Sequence, residues 1–334
     1  MEPPDYELPD EQVAQHPLAQ RDAARLLVAL GGTVRHLSVA DLPSLLGPGD
    51  LVVLNTSRVL PARLRLAKQS GGAAEVLLLE PVPGEPGAWE ALVRPGRRLA
   101  PGTVLYARGG RAVLEVGERL EAGNRVVRSL VPDLGDFGTV ALPPYIRAPL
   151  ADPERYQTVY ADNPGSVAAP TAGLHLTEEV LAGCRAAGAG VAGVDLAVGL
   201  GTFRPIKAGP VEDHTMHAER YEVPPATWEA CQAARRVLAV GTTTVRALES
   251  AATTGRLSGR TELFVQPGFR FSVVDVLLTN FHQPRSTLLV LLEAFAGPRW
   301  RQLYEVALAE KYRFLSFGDA MLVDRGGRAA PSGA

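Results

Sequence analysis

Apolar residues change their rhythm along this chain. Residues 49–54, Gly-Asp-Leu-Val-Val-Leu, form a short continuous apolar run that reads as a buried strand leading into Asn55-Thr56-Ser57-Arg58. From Pro61 to about Leu142, short apolar stretches at 75–79, 89–93, 103–106, 112–116 and 126–131 alternate with turns rich in Gly and Pro. Strands so short and so evenly spaced predict a small antiparallel β-barrel rather than βαβ units. Leu142-Pro-Pro-Tyr145 reads as a stiff linker.

Beyond the linker, strand and helix patterns alternate. Thr177 caps a predicted helix to about Ala187, with Glu178 and Glu179 in its first turn, where the helix dipole favours acids. A strand follows at 191–198 and a helix at 225–236. Another strand at 237–240 turns at Gly241 into a Thr-capped helix over 243–252. A strand at 261–265 precedes helices near 286–295 and 299–312. This order predicts a mixed α/β catalytic domain built from residues 1–60 and 146–325, an inserted β-barrel over 61–145, and a flexible tail at 326–334.

Composition narrows the class. A chain of 334 residues exceeds what one growing core serves, and 46% hydrophobic content is ample for two. No apolar run approaches the ~20 residues of a membrane span. The start, Met-Glu-Pro-Pro-Asp, lacks the basic and apolar regions of a signal peptide, and Cys184 and Cys231 are the only cysteines. A cytoplasmic protein without a disulfide framework is the expectation. With a net charge of −2, any contact with RNA must be a local patch. Lys68, Lys207 and Lys311 are the only lysines. Arginine forks suit phosphate and carboxylate, although a compositional bias explains the imbalance more simply.

Five stretches carry polar residues that packing would not ask for. The first joins Tyr156-Gln-Thr-Val-Tyr160 to Gly165-Ser-Val-Ala-Ala-Pro-Thr171-Ala-Gly-Leu-His175, either a ligand loop before a helix or a tight turn with a surface histidine. The second, Gly199-Leu-Gly201-Thr202-Phe203, follows a strand without forming a dinucleotide fingerprint, which counts against a Rossmann-type enzyme. The third, Glu212-Asp-His214-Thr-Met-His217-Ala-Glu219, packs two imidazoles and three carboxylates into eight residues. General acid–base work, metal ligation through H-x-x-H and a solvated charged loop all remain open there. The fourth, Gly241-Thr242-Thr243-Thr-Val-Arg246-Ala-Leu-Glu249, gathers hydroxyls and amides at a helix start, with Arg246 and Glu249 spaced like a surface pair. The fifth, Leu278-Thr-Asn280-Phe-His282-Gln-Pro-Arg-Ser-Thr287, again lies between strand and helix, where open α/β sheets place their sites.

Together these stretches resemble the S-adenosylmethionine (SAM):tRNA ribosyltransferase-isomerase family, which makes epoxyqueuosine. The likeness extends from Asp5-Tyr-Glu-Leu-Pro9 and Pro17-Leu-Ala-Gln-Arg-Asp22 to Tyr312-Arg-Phe-Leu-Ser-Phe-Gly-Asp-Ala-Met321, and is faintest over residues 65–140. The resemblance implies an α/β unit with a smaller barrel and SAM as a consumed co-substrate, with no true cofactor and no metal. It also implies a tRNA acceptor bearing 7-aminomethyl-7-deazaguanine, with adenine and methionine as leaving products. A monomer or homodimer with no membrane association is expected.

Within that chemistry, His214 and His217 are the expected proton-transfer pair, Glu219 orients an imidazole or accepts a ribose hydroxyl, and His175 and His282 stand in reserve. Tyr156, Thr171, Gly199, Gly201, Thr202, Gly241, Thr242, Thr243, Arg246 and Asn280 are expected around SAM, with Arg246 forking onto the methionine carboxylate. Arg58 and Arg63 are expected to meet tRNA phosphates. Four positions depart from the family pattern: Thr56 replaces Asp or Asn, Ala197 replaces His, Ala218 replaces Ser and Leu176 replaces Phe. Three alternatives stay in play, the first favoured by these departures. One is a paralogue that passes the ribosyl group to a small molecule. The others are a metal-dependent hydrolase using His214 and His217, and a non-catalytic RNA-binding module built on the barrel.

Overall fold

The computed structural model describes residues 2–96, 99–120, 123–199, 206, 210–214, 216 and 218–325. Two compact units share the chain. Met1–Ser57, Pro144–Asn163 and Ala169–Ala334 form one, and Arg58–Pro143 with Pro164–Ala168 the other. Residues 58–60 and 164–168, expected in the α/β part, thus belong with the second unit, and 144–145 with the first.

Three strands open the chain: β1 (Arg25–Leu30), β2 (Thr33–Ser38) and β3 (Asp50–Asn55). After β4 (Ser57–Val59) come β5 (Arg63–Lys68), β6 (Ala73–Pro81), β7 (Ala88–Arg94), β8 (Thr103–Tyr106), β9 (Ala112–Arg119), β10 (Arg125–Ser129) and β11 (Gly138–Thr139). Strands β5, β6, β7, β10, β9 and β8 pair antiparallel in that spatial order, and β8 returns to β5 through Ala67 opposite Tyr106. The ring is the expected barrel, and closure removes the sheet edges that would otherwise invite aggregation. Leu64 and Leu66 of β5 are buried while Arg63 and Arg65 alternate outward, the period of two that a filled barrel requires.

β12 (Asn163–Ser166) pairs with β4. The chain then runs through α1 (Glu178–Ala186), β13 (Gly190–Leu196), β14 (Glu219–Glu222), α2 (Pro225–Ala233), β15 (Arg236–Val240) and α3 (Thr242–Thr254). It ends through β16 (Ser258–Thr261), β17 (Val276–Asn280), α4 (Thr287–Ala296), α5 (Trp300–Ala309) and β18 (Ala320–Asp324). The first unit is a mixed sheet in the order β16-β14-β13-β3-β15-β17-β18-β1-β2. Its centre, β13-β3-β15-β17, is parallel.

Alternate residues of the central strands, Val52 and Leu54, Leu238 and Val240, Val276 and Leu278, turn to one face and join Val180, Leu181 and Cys184 of α1 in one core. The helix α3 packs along β13 and β15. Every residue of β3 is buried, as expected of a parallel strand covered on both faces.

Three local expectations change, and one hairpin is new. The helix at 225–236 stops at Ala233, because the backbone amides of Arg235 and Arg236 already bond to Gly49 and lead into β15. The strand placed at 261–265 is β16, ending at Thr261, while the apolar run beyond it dips inward so that Phe264 packs on Val211 and Val290. The cap of α3 is Gly241 at φ 88°, not a threonine. The hairpin of β1 and β2 was not anticipated at all. Its signal is Gly31-Gly32, both at positive φ, directly after the apolar run of β1.

Candidate active site

Because β13, β3, β15 and β17 are parallel, their carboxyl ends lie on one edge of the sheet. That edge collects Asn55, Leu196 to Gly199, Gly241 to Thr243 and Asn280 to His282. The chain order reverses at β3, with β13 on one side and β15 on the other, and such a switch point opens a crevice. Antiparallel β18 sets Ala320 opposite Asn280, which delivers Asp319 to the same edge. Asn55 fastens the crevice wall: its amide donates to the Leu196 carbonyl at 3.0 Å and its oxygen accepts from the Leu196 amide at 3.1 Å.

At the end of β17, Asn280 organises a buried network. Its Oδ1 accepts from the Thr171 hydroxyl at 2.9 Å, and its Nδ2 donates both to His175 Nε2 at 2.9 Å and to the Asp319 carbonyl at 3.4 Å. His175 is 5% exposed, not the surface histidine of a tight turn. Burial first, then the nearby guanidiniums of Arg313 and Arg21, lower its pKa to about 4, so it is neutral at pH 7. Its Nε2 lone pair is taken by an amide hydrogen, so the ring proton resides on Nδ1. His282 is likewise buried, and burial lowers its pKa to about 3. Its Nε2 meets the Thr279 hydroxyl at 3.0 Å, its backbone amide donates to the Tyr304 hydroxyl at 2.8 Å, and Tyr6 donates to its carbonyl. Both imidazoles are anchored in place, His175 by its Nε2 and His282 by backbone and ring.

A second buried constellation sits at the start of α3. Glu219 of β14 accepts from the Gly199 amide at 2.7 Å and pairs with Arg246 Nη1, the two side chains being 6% and 5% exposed. Arg246 Nε donates to the Leu263 carbonyl at 3.0 Å. Among the described residues its Nη2 is buried without a partner, as are the hydroxyls of Thr243 and Thr287. An unsatisfied buried polar group costs about 1–3 kcal/mol, so three together point to a ligand-binding surface. Arg246 Nη1 already pairs with Glu219, so the expected fork onto the methionine carboxylate would draw on Nη2 alone. The Arg246–Glu249 surface pair is corrected too. Glu249 is fully buried, and its carboxylate accepts from the backbone amides of Ser272, Val273 and Val274 at 2.8–3.0 Å.

Three adjoining clefts follow the same edge. The first touches Arg21, Arg155, His175 and Ser316, and the second Ser316, Thr171, Asn280, His282 and Leu288. The third touches Leu288, Thr287, Thr242, Thr243 and Arg246. Ser316 touches both the first and the second cleft, and Leu288 both the second and the third. Sequence reasoning missed Arg21, Ser316 and Thr287. Only the Ser286 cap, which accepts from Leu289 at 3.2 Å, could have drawn attention to Thr287 as the first helical residue.

The remaining expected residues fall differently. His214 sets its ring edge-on to Phe264, 5.4 Å between centroids, beside the third cleft. His217, Gly201 and Thr202 lie outside the described residues. Tyr156 is fully buried against Phe317 and lines none of the three clefts. Arg58 and Arg63 lie in the barrel unit, where Arg63 stands 3.7 Å from Glu75. Thr56 donates its hydroxyl to the Val194 carbonyl at 3.1 Å and accepts from Asn163, and the Ala197 amide donates to Arg220 at 3.0 Å. Among the described residues no three His, Cys, Asp or Glu side chains gather as a metal cluster, and no helix is long and apolar enough to cross a membrane.

A mixed α/β unit with polar groups along its parallel strand ends, joined to a closed antiparallel barrel, defines the class. Known proteins then place the chain within it. The family described as queuosine biosynthesis protein matches residues 2–323. The S-adenosylmethionine:tRNA ribosyltransferase-isomerase of Rubrobacter xylanophilus is 52% identical over 331 residues, 97% of this chain and 98% of its own. That of Thermus thermophilus is 49% identical over 341 residues, covering 96% and 98%. The crystal structure of S-adenosylmethionine tRNA ribosyltransferase from Thermotoga maritima is 36% identical, covers 96% of this chain and 99% of its own, and aligns with a TM-score of 0.55. The chain belongs to the queuosine biosynthesis family, whose named relatives are enzymes.

Proposed function

We propose that this protein transfers and isomerises the ribosyl moiety of SAM onto 7-aminomethyl-7-deazaguanine in tRNA, forming epoxyqueuosine and releasing adenine and methionine. The observation that carries the reading is the near full-length identity, 52% over 97% of the chain, to a relative bearing that activity in its name. The polar residues gathered at the carboxyl ends of the parallel strands support it, with His175, Asn280 and His282 at one point and Thr242, Thr243 and Arg246 at another.

The reaction removes a proton from C5′ of SAM, beside the sulfonium, so it needs a base near neutral pKa. His175 and His282 are neutral, buried and held in place, which suits them to positioning. The proton-transfer roles then fall to His214 and His217, with Glu219, which accepts from the Gly199 amide, as the orienting carboxylate. Thr171, Asn280 and Gly241 to Thr243 line the SAM site. Arg58 and Arg63 supply tRNA phosphate contacts from the barrel. Adenine should appear from SAM only when tRNA bearing the aminomethyl base is added, as followed by chromatography. His217→Ala should keep its melting temperature and lose that release. Retained release would remove His217 from the mechanism.

A further inference from the structure

A separate cavity opens at the amino ends of β15 and β17, on the sheet edge opposite the crevice. Its volume of about 880 Å3 falls within the roughly 300–1,000 Å3 of ligand pockets. Val237 and Asp275 line it where the two strands begin, whereas Gly241 and Asn280 stand at the far ends of the same strands. Trp228 of α2 lines it too, with Phe269 and Phe271, and all three rings are only half-buried. Edge-to-face packing fixes the phenyl wall, with 5.0 Å between Phe269 and Phe271 and 4.9 Å between Phe271 and Phe295. Aromatic surface left partly open around one hollow marks a binding site rather than a core.

Charge selects the ligand. The charged side chains lining the cavity are Arg235, Asp275 and Arg325. Arg325 is spent, since its Nη2 donates to Asp275 at 2.6 Å and its Nη1 to the Phe271 carbonyl at 2.7 Å. The other oxygen of Asp275 accepts from the Val237 amide at 3.0 Å. Glu249, behind the 272–274 stretch, is likewise taken up by backbone amides.

Arg235 is different. The carboxylate of Asp50 already receives a fork from Arg236, at 3.0 Å from Nε and 2.6 Å from Nη2. Arg235 stands 3.6 Å from that carboxylate with 67% of its side chain exposed. Two guanidiniums thus share one carboxylate, which leaves one positive charge at the cavity. A guanidinium fork beside open aromatic rings matches an anion carried on a planar ring.

We propose that this cavity is a second ligand site, separate from the crevice, for a planar aromatic molecule bearing a carboxylate or a phosphate. The ring lies against Trp228 and Phe269, and the anion meets Arg235. The site is independent of the reaction performed in the crevice.

Calorimetric titration of the purified full-length protein tests it. Uridine monophosphate and indole-3-acetate are the anionic probes, and indole-3-acetamide is the uncharged control. Tighter binding of the first probe marks a phosphate ligand, and of the second a carboxylate. Arg235→Gln should keep the melting temperature and weaken the anionic probes about tenfold. Phe269→Leu removes a ring, should also weaken them, and serves if the first variant melts early. Saturating SAM should leave probe binding unchanged. No binding of either anionic probe at millimolar concentration, equal binding of indole-3-acetate and its amide, undiminished binding by Arg235→Gln, or displacement by SAM would each overturn the proposal.

Discussion

Asn280 donates its amide hydrogen to His175 Nε2 at 2.9 Å, and its orientation is fixed by Thr171 on one side and the Asp319 carbonyl on the other. The protonated ring nitrogen of His175 is therefore Nδ1. Nitrogen-15 chemical shifts should report that tautomer, with titration near pH 4. In Asn280→Asp the new carboxylate stabilises the imidazolium instead, so the His175 pKa should rise well above its wild-type value. An unchanged pKa in that variant would contradict the contact.

Stability should depend on pH through the same imidazoles. Both are held neutral in the fold, at about 4 for His175 and about 3 for His282, against 6.5 when exposed. Below pH 6.5 the unfolded chain therefore takes up protons that the folded chain refuses, and stability falls as pH drops toward those folded values. The loss should reach a few kcal/mol, on the order of 1.4 per pKa unit before relaxation of the fold. Urea unfolding at pH 7 and pH 4.5 measures it. His282→Asn should show a smaller difference between the two pH values than the wild type.

The Arg246–Glu219 pair makes a prediction of opposite character. Glu219→Gln leaves a buried guanidinium without its carboxylate and should cost about 3–5 kcal/mol in denaturant unfolding. Replacing both residues by leucine should cost less than the sum of the two single changes, because no unpaired charge remains. Additive losses would mean the two side chains do not depend on each other.

Gly173 lies so close to Tyr160 that an added Cβ would sit 1.9 Å from the phenol oxygen and 2.9 Å from Thr158 Cγ2. Gly173→Ala should destabilise by about 2–3 kcal/mol, the cost of overpacking. Tyr160→Phe alone should be neutral or slightly stabilising, since the hydroxyl is buried without a partner. In that background Gly173→Ala should cost visibly less. An equal cost in both backgrounds would place the clash elsewhere.

Most of the element order could be read from the chain. The barrel strands are short and separated by Gly- and Pro-rich turns, and α1 and α4 begin with side-chain caps at Thr177 and Ser286, so local pattern and tertiary structure agree there. Reading failed where tertiary contacts overrode the pattern. Residues 263–265 look like a strand because Phe264 is drawn into a core beside α4, not because a ladder continues. The first hairpin has Gly31-Gly32 as its local signal, and its second strand, Thr33–Ser38, is mostly exposed and carries little apolar pattern. At the site, the stretches around His175, Arg246 and Asn280 are visible in the sequence as polar clusters. Their internal pairing stayed hidden, because Glu219 reaches Arg246 across 27 residues and Asn280 reaches His175 across 105, separations that no periodicity reports.

The measurement that tests the central claim most directly is the mass of the tRNA itself. Purified protein is incubated with SAM and tRNA carrying 7-aminomethyl-7-deazaguanine, and the wobble nucleoside is analysed by mass spectrometry. A gain matching the epoxide-bearing ribosyl fragment, with adenine released in step, is the predicted result. A methylated nucleoside, or an unmodified one from folded protein that binds SAM, would contradict it.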